Sequence, residues 1–373
     1  FVHKVVAHAY RAGAKAVDVH WGDRSLVLTR LKEARRETLT EVPEAWMLPG
    51  VLDLIDNGGA VMTIHSPDPD LFSGVKVDDL STLLNSYFTL SQPLLERITG
   101  GVPNWVVICA ATPAWASKLF PNDPQEAALY KLWDAIFDIC RVKYDDPISV
   151  WQQHIHDLHD RSDYLNAKAY DHLKYHGPGT DLTVGLPKGH IWHSGSLKNK
   201  SGLEFLANIP TEEVFTLPHC ERTEGRVHSS LALNYNGMLI DDFELVFREG
   251  RVTQAHARIG NEALQHLLST EEGVTRLGEV ALVPDSSPIS QRKMLFYSTL
   301  YDENAASHLA LGMAYRYTLE KGEEMTADEF RSMGGNLSKF HIDFMIGNNK
   351  MDVDGVTSDG SAEPLMRGGE WAF

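Results

Sequence analysis

Cysteine is scarce in this chain. Cys109, Cys140 and Cys220 are the only three, far apart, odd in number and without a CxxC spacing. That argues against a disulfide framework and for reduced thiols in a cytoplasmic setting. Cations are also in short supply: 34 Lys and Arg stand against 51 Asp and Glu, a net charge of −17. Such a balance excludes nucleic acid as the natural partner, because phosphate recognition relies on Lys and Arg. It also disfavours docking to anionic membranes. No apolar run reaches the roughly 18 residues of a membrane span. No GxGxxG or GxxxxGK[ST] follows a strand-like segment, so no phosphate cradle of that kind is built. Internal repeats and low-complexity tracts are absent.

What is present suits large buried cores. The 373 residues are 43% hydrophobic and 23% charged, ordinary for a globular protein. Length alone suggests two or three domains. The chain opens at Phe1, without methionine and inside a helix-like stretch, so a further N-terminal segment is expected.

The first half alternates helix and strand signals. VVAHAYRAG reads as a helix ending at Gly13, followed by a short strand from Ala16 to Val19. LPGVLDLIDNGGAVMTIHS repeats the plan, with a strand through Val61 to Ile64. NWVVICAAT is a buried strand, and DPQEAALYKLWDAIFDICRV an amphipathic helix starting at Asp123-Pro124. This alternation implies a parallel sheet with helices on its faces. A long helical segment then runs from Asp145 to a stop at Gly177-Pro178-Gly179, where a domain boundary is placed. The second half is strand-rich. Asn236-Gly237 signals a hairpin, Glu249-Gly250 another turn, and one helix is expected over residues 304–319. The fold class is therefore α/β and α+β: an N-terminal α/β parallel-sheet domain, residues 1–178, then a strand-rich C-terminal domain, residues 179–373.

Several clusters invite chemistry. The most conspicuous is HIHDLHD, His154 to Asp160, but on a helix only His156, His159 and Asp160 share a face, and a solvated surface explains them. FHIDFMI carries the quieter signal. As a strand it turns Phe340, Ile342 and Phe344 one way and His341 and Asp343 the other. An imidazole and a carboxylate side by side are usable as a ligand pair for a divalent metal, or as the polar face of an antiparallel sheet. Glu212 and Glu213 are adjacent acids ahead of an apolar run, and Glu279 edges another. Asp302 and Glu303 open the expected helix, which would set His308 and Tyr315 two turns apart on one face. Glu303 also suits a helix N-terminus, and His308 and Tyr315 also suit a core. The Gly-rich loop GLPKGHIWHSGS, Gly185 to Ser196, either lines a substrate entrance or merely connects domains.

Four segments, NIPTEEVFT, GEVALV, ENAASHLALGMAY and NLSKFHIDFMIG, resemble signature segments of the M29 family of metal-dependent aminopeptidases, the thermophilic type. The resemblance spans the chain and is sharpest from Asn208 to Gly347. Position by position it implies metal ligands at Glu213, Glu279, His308, His341 and Asp343, with Glu303 as a sixth. Tyr315 would be the catalytic tyrosine. Phe340 and Ile342 flank the histidine where relatives often carry a bulkier aromatic residue, a departure that leaves the ligands untouched.

Four carboxylates and two imidazoles exceed the needs of one tetrahedral zinc. They suit a pair of divalent ions, bridged most simply by Glu279. Without a thiolate, the ions would be zinc, cobalt, manganese or magnesium. The implied reaction is removal of the N-terminal residue from a peptide with a free N-terminus, using a metal-activated water. Glu212 is the candidate general base, provided the backbone turns there, and Tyr315 would donate to the developing oxyanion. The resemblance further implies a homodimer. Rival readings are another dinuclear hydrolase of the phosphoesterase type, and a non-catalytic protein whose ligand set holds structure.

Overall fold

The computed structural model describes every residue except Asn236. The helix Val2–Arg11 ends where expected, with Gly13 at positive φ. Residues 16–19 form no strand and are mostly exposed. With Asp18 and His20 paired to each other in solvent, that stretch has no apolar face to bury. The helix Leu48–Asp56 leads into β1 (Val61–His65), which pairs in parallel with β2 (Trp105–Cys109). The helix Val77–Thr99 forms the crossover between them. The helices Gln125–Ile139 and Pro147–Lys168 follow.

The second of these starts on Asp146, whose side chain accepts from the Ser149 N–H, and stops at Lys168 with Ala169 left-handed. It does not reach Gly177. Beyond it, β3 (His172–Gly177) and β4 (Thr180–Gly185) form a hairpin, and Gly177-Pro178-Gly179 is its turn. Leu173 and Tyr175 are buried while Lys174 and His176 are exposed, a period of two that overrides the helical signal.

The remaining strands are β5 (His193–Ser194), β6 (Leu197–Lys198), β7 (Glu204–Phe205), β8 (Val214–Thr216), β9 (Thr223–His228), β10 (Leu233–Tyr235), β11 (Met238–Arg248) and β12 (Arg251–Ile259). They continue with β13 (Leu277–Leu282), β14 (His308–Gly312), β15 (His341–Met345), β16 (Asp352–Val356), β17 (Ala362–Arg367) and β18 (Glu370–Trp371). A nine-stranded sheet runs β10-β11-β9-β4-β3-β16-β17-β18, with β12 beside β11. A five-stranded antiparallel sheet runs β15-β14-β13-β8-β5. Of the hairpin signals, Glu249-Gly250 lies between β11 and β12 as expected, both residues at positive φ. Asn236 lies outside the described residues, although Tyr235 and Met238 on either side of it pair.

The expected helix over residues 304–319 is replaced by a short turn, Glu303–Ala305, and then by strand β14. All five residues of β14 are buried. A short strand buried along its whole length shows little alternation, and periodicity cannot separate it from a buried helix.

The two sheets pack face to face. Phe243, Leu245 and Phe247 of β11 and Leu173 and Tyr175 of β3 share one core with Val280, Leu309, Leu311, Ile342 and Phe344 of the smaller sheet. Burying such side chains supplies about 1.5–3 kcal/mol each, so the inner face of the small sheet is rigidly held. Its outer face is left for other uses.

Candidate metal centre

The outer face of the five-stranded sheet gathers the ionisable residues. Directly opposed residues share a face, so the pairings Ala281↔His308, Ala310↔Asp343 and Gly312↔His341 set His308, His341 and Asp343 together. Glu279 joins them through a bulge. Leu277 pairs with Leu311 and Glu279 with Ala310, so Gly278 is the extra residue. Strict alternation would send Leu277 and Glu279 the same way; the bulge sends Leu277 to the core and Glu279 to the outer face. Only glycine fits there, since a Cβ would lie 2.3 Å from the carbonyl oxygens of both Gly312 and Met313. Ala281, Ala310 and Gly312, small residues on the same face, leave room between the ionisable groups.

Glu213 arrives from the end of β8, on the same face as Phe215. The segment before it is tied to β2: the Val107 N–H donates to Ala207 O at 2.8 Å and the Ile209 N–H to Val107 O at 3.1 Å.

The ligand atoms fall into two groups of three that share one residue: Glu213, Glu279 and His308, and Glu279, His341 and Asp343. His308 Nε2 is 3.1 Å from Glu213 Oε2 and 3.4 Å from Glu279 Oε1. His341 Nε2 is 3.6 Å from Glu279 Oε2 and 3.2 Å from Asp343 Oδ1. Each imidazole is held by its other nitrogen, His308 Nδ1 at 3.1 Å from Ala306 O and His341 Nδ1 at 2.7 Å from Met313 O. Donation from Nδ1 aims Nε2 at the carboxylates, where its lone pair would be available to a metal, the usual way of orienting a metal-ligating histidine.

The donor set fits divalent ions. Asp343 Oδ1 is buried and makes no well-aligned hydrogen bond, its one ion-pair contact being His341 Nε2 at 3.2 Å, a costly condition for a carboxylate unless a cation lies beside it. Electrostatics agree. Burial pushes the Glu279 carboxyl up, and burial with the Asp343 and Glu213 charges pushes Glu303 well up. Burial would depress His308 and His341, yet neighbouring carboxylates raise His308 well above its ordinary value and His341 to about 10. Burial opposes ionisation of Asp343, but His341 holds its carboxyl below the usual range. Without an ion, the chain meets this charge with protons on the buried imidazoles and carboxyls, the positions a divalent cation would take over.

The chain matches the family model described as thermophilic metalloprotease (M29) over residues 1–371. It belongs to the M29 family. It is 42% identical to aminopeptidase AmpS of Bacillus subtilis (strain 168), over 100% of this chain and 91% of that protein. To aminopeptidase T of Thermus thermophilus it is also 42% identical, over 100% and 90%. The solved structure of wild-type AmpT from Thermus thermophilus superposes with a TM-score of 0.93, covering 100% of this chain and 91% of that one. As a metalloprotease family, M29 implies divalent metal ions.

In this M29 chain the outer face opens into a cavity of about 960 Å³. Glu213, Glu279, Glu303, His308, His341, Asp343 and Tyr315 all line it. Glu303 stands beside the two groups rather than in them. Tyr315 follows β14 in a loop, its ring 4.7 Å from that of His341. Burial pushes its phenol well up, so it stays protonated. Trp192 to Ser196, from the Gly-rich loop, also line the cavity. So does Tyr317, which the sequence reading missed; its ring stacks on Tyr315 at 5.3 Å, and the YRY spacing was its one signal.

Glu212 is not brought to the cavity. Just before β8 its side chain points away from Glu213 into the protein, where Arg141 binds both oxygens at 2.5 and 2.8 Å. The expected base is thus found in an ion pair with Arg141 and not among the residues lining the cavity. Around it, the Glu212 N–H donates to Asn304 Oδ1 at 2.6 Å and His154 Nε2 lies 2.8 Å from Thr211 O. The residues preceding Glu213 are thus clamped on three sides. In the HIHDLHD cluster, His156 and Asp160 form an exposed pair at 3.6 Å, as a solvated face requires.

Proposed function

We propose that this chain removes the N-terminal residue from peptides, with two divalent ions held by Glu213, Glu279 and His308 on one side and by Glu279, His341 and Asp343 on the other. The observation that carries this reading is that the two carboxylate oxygens of Glu279 face different histidines, at 3.4 and 3.6 Å, as a bridging ligand does. The oxygen- and nitrogen-only donor set favours zinc, cobalt, manganese or magnesium. When bound, such ions supply an acidified water and a Lewis-acid contact for the substrate. The chain supplies the rest. Nδ1 donation to Ala306 O and Met313 O holds both imidazoles in register. Tyr315, kept protonated by burial, donates a hydrogen bond to the carbonyl oxygen as charge develops on it. Glu303, beside the ligands and able to hold a proton, takes the acid–base role that Glu212 cannot.

The names of the 42%-identical relatives support peptide rather than phosphate chemistry. Three buried free thiols suit a reducing cytoplasm. Exposed aromatic residues of the N-terminal half, such as Trp46 and Trp21, suit a partner surface in a homodimer. The division into an N-terminal α/β unit and a C-terminal catalytic unit belongs to the same proposal, its boundary best placed between Lys168 and His172.

Dialysis against a chelator, followed by single metals, tests the reading. Release from leucyl p-nitroanilide should vanish and return with metal, while an N-acetylated peptide stays intact. Cleavage of the blocked peptide would refute the exopeptidase assignment.

A further inference from the structure

The cavity is charged unevenly. Seven carboxylates line it, four of them at the metal centre, whereas Lys198 and Lys200 are its only fixed cations. Both lysines lie on the β6–β7 hairpin, which pairs separately from the ligand-bearing sheet. Lys198 sits directly across the hairpin from Glu204, where an ion pair would ordinarily form. Glu204 is engaged elsewhere: Ser196 Oγ donates to it, and that hydroxyl also lies 3.1 Å from His159 Nε2. Among the described residues no carboxylate lies within 4.0 Å of the charged nitrogen of either lysine.

The hairpin is a fixed platform. The Lys200 N–H donates to Gly101 O at 2.8 Å, and Asn199 Nδ2 to Asn104 Oδ1 at 2.7 Å. Beside the lysines, Phe205 of the hairpin and Trp105 of β2 add aromatic wall, their ring centroids 6.2 Å apart. Aromatic walls with one charged anchor are the ordinary make-up of a small-ligand site, and about 960 Å³ is at the upper end of the range for such sites.

From this polarity we propose that Lys198 and Lys200 form a subsite for the C-terminal carboxylate of a short peptide. The inference rests on the aminopeptidase reading, which puts the substrate's α-amine at the metal centre. A peptide of a few residues then lies along the cavity with its amine among the carboxylates, its middle against Trp105 and Phe205, and its free carboxylate at the lysines. The chain thereby favours oligopeptides with both ends free over longer chains and over peptide amides.

The test pairs a tripeptide free acid with its C-terminal amide, using the metal-loaded protein, its Lys198→Ala and Lys200→Ala variants, and the double variant. The lysines are exposed, so these variants should fold as the parent does. The parent should show a lower KM for the acid than for the amide. Each substitution should raise the acid's KM about two- to fivefold, as expected for exposed ion pairs, with kcat and the amide's KM unchanged. High salt should narrow the gap between the two substrates in the parent alone. Equal KM values for acid and amide in the parent, or equal changes for both in the variants, would overturn the subsite. Should the parent cleave neither substrate, the aminopeptidase reading fails. Calorimetric binding of the two peptides to the metal-free protein then decides the subsite, with weaker acid binding in the double variant expected and identical binding refuting it.

Discussion

Glu212 and Glu213 are adjacent and chemically identical, yet Arg141 takes one and the cavity takes the other. The two side chains diverge just ahead of β8, and the separation divides stability from chemistry. Glu212→Gln leaves the Arg141 charge buried without its partner, which should cost about 3–5 kcal/mol. Metal stoichiometry should persist, because no ligand is removed. Glu279→Gln should do the reverse, lowering metal content at both groups while the unfolding midpoint of the metal-free protein stays near that of the parent. Urea unfolding of metal-free samples and metal counting by mass spectrometry measure the two effects. Equal stoichiometry for Glu279→Gln and the parent would refute the shared-ligand assignment. At this scale the FHIDFMI alternation was legible: His341 and Asp343 share a face because the side-chain period of a strand is two. Glu212 was misjudged because its partner, Arg141, lies 71 positions away in sequence.

Among the elements, β13 and β14 decide the site. Gly278 inserts the bulge that turns Glu279 outward, and His308 is a strand residue rather than a helical one. Gly278→Ala forces a Cβ toward two carbonyl oxygens at 2.3 Å. Overpacking of this kind costs about 1–3 kcal/mol, and the shift of β13 should displace Glu279. Both a lower unfolding midpoint and weaker metal retention in chelator competition are therefore expected; normal retention would show that the bulge does not position the ligand. Neither feature was readable in the sequence. LGEVALV reads as plain alternation, and a single glycine does not announce a bulge. HLALG is buried throughout and carries only His308 among apolar residues, so its period carried no information.

Across the whole molecule, the carboxylates gathered on one sheet face are balanced by protons on buried imidazoles and carboxyls, which bound metal would displace. Removing metal should therefore lower stability, and titrating it back should raise the melting temperature with concentration, by about 2.7 kcal/mol at a hundredfold excess over Kd. A melting temperature independent of metal would contradict a centre that binds only the folded state. The N-terminal half contributes at this scale too, since Val61, Thr63, Trp105 and Val107 of the parallel pair β1–β2 complete the cavity wall.

By itself the sequence determined the class of the fold and the strand that sets His341 and Asp343 on one face, because alternation is a local property, while the proposed donor set came from resemblance to a family. The company those residues keep was decided by tertiary structure. Which acid meets Arg141, which strand lies beside which, where the bulge falls and which lysine loses its cross-strand partner all depend on contacts between residues distant in the chain, and no local pattern encodes them.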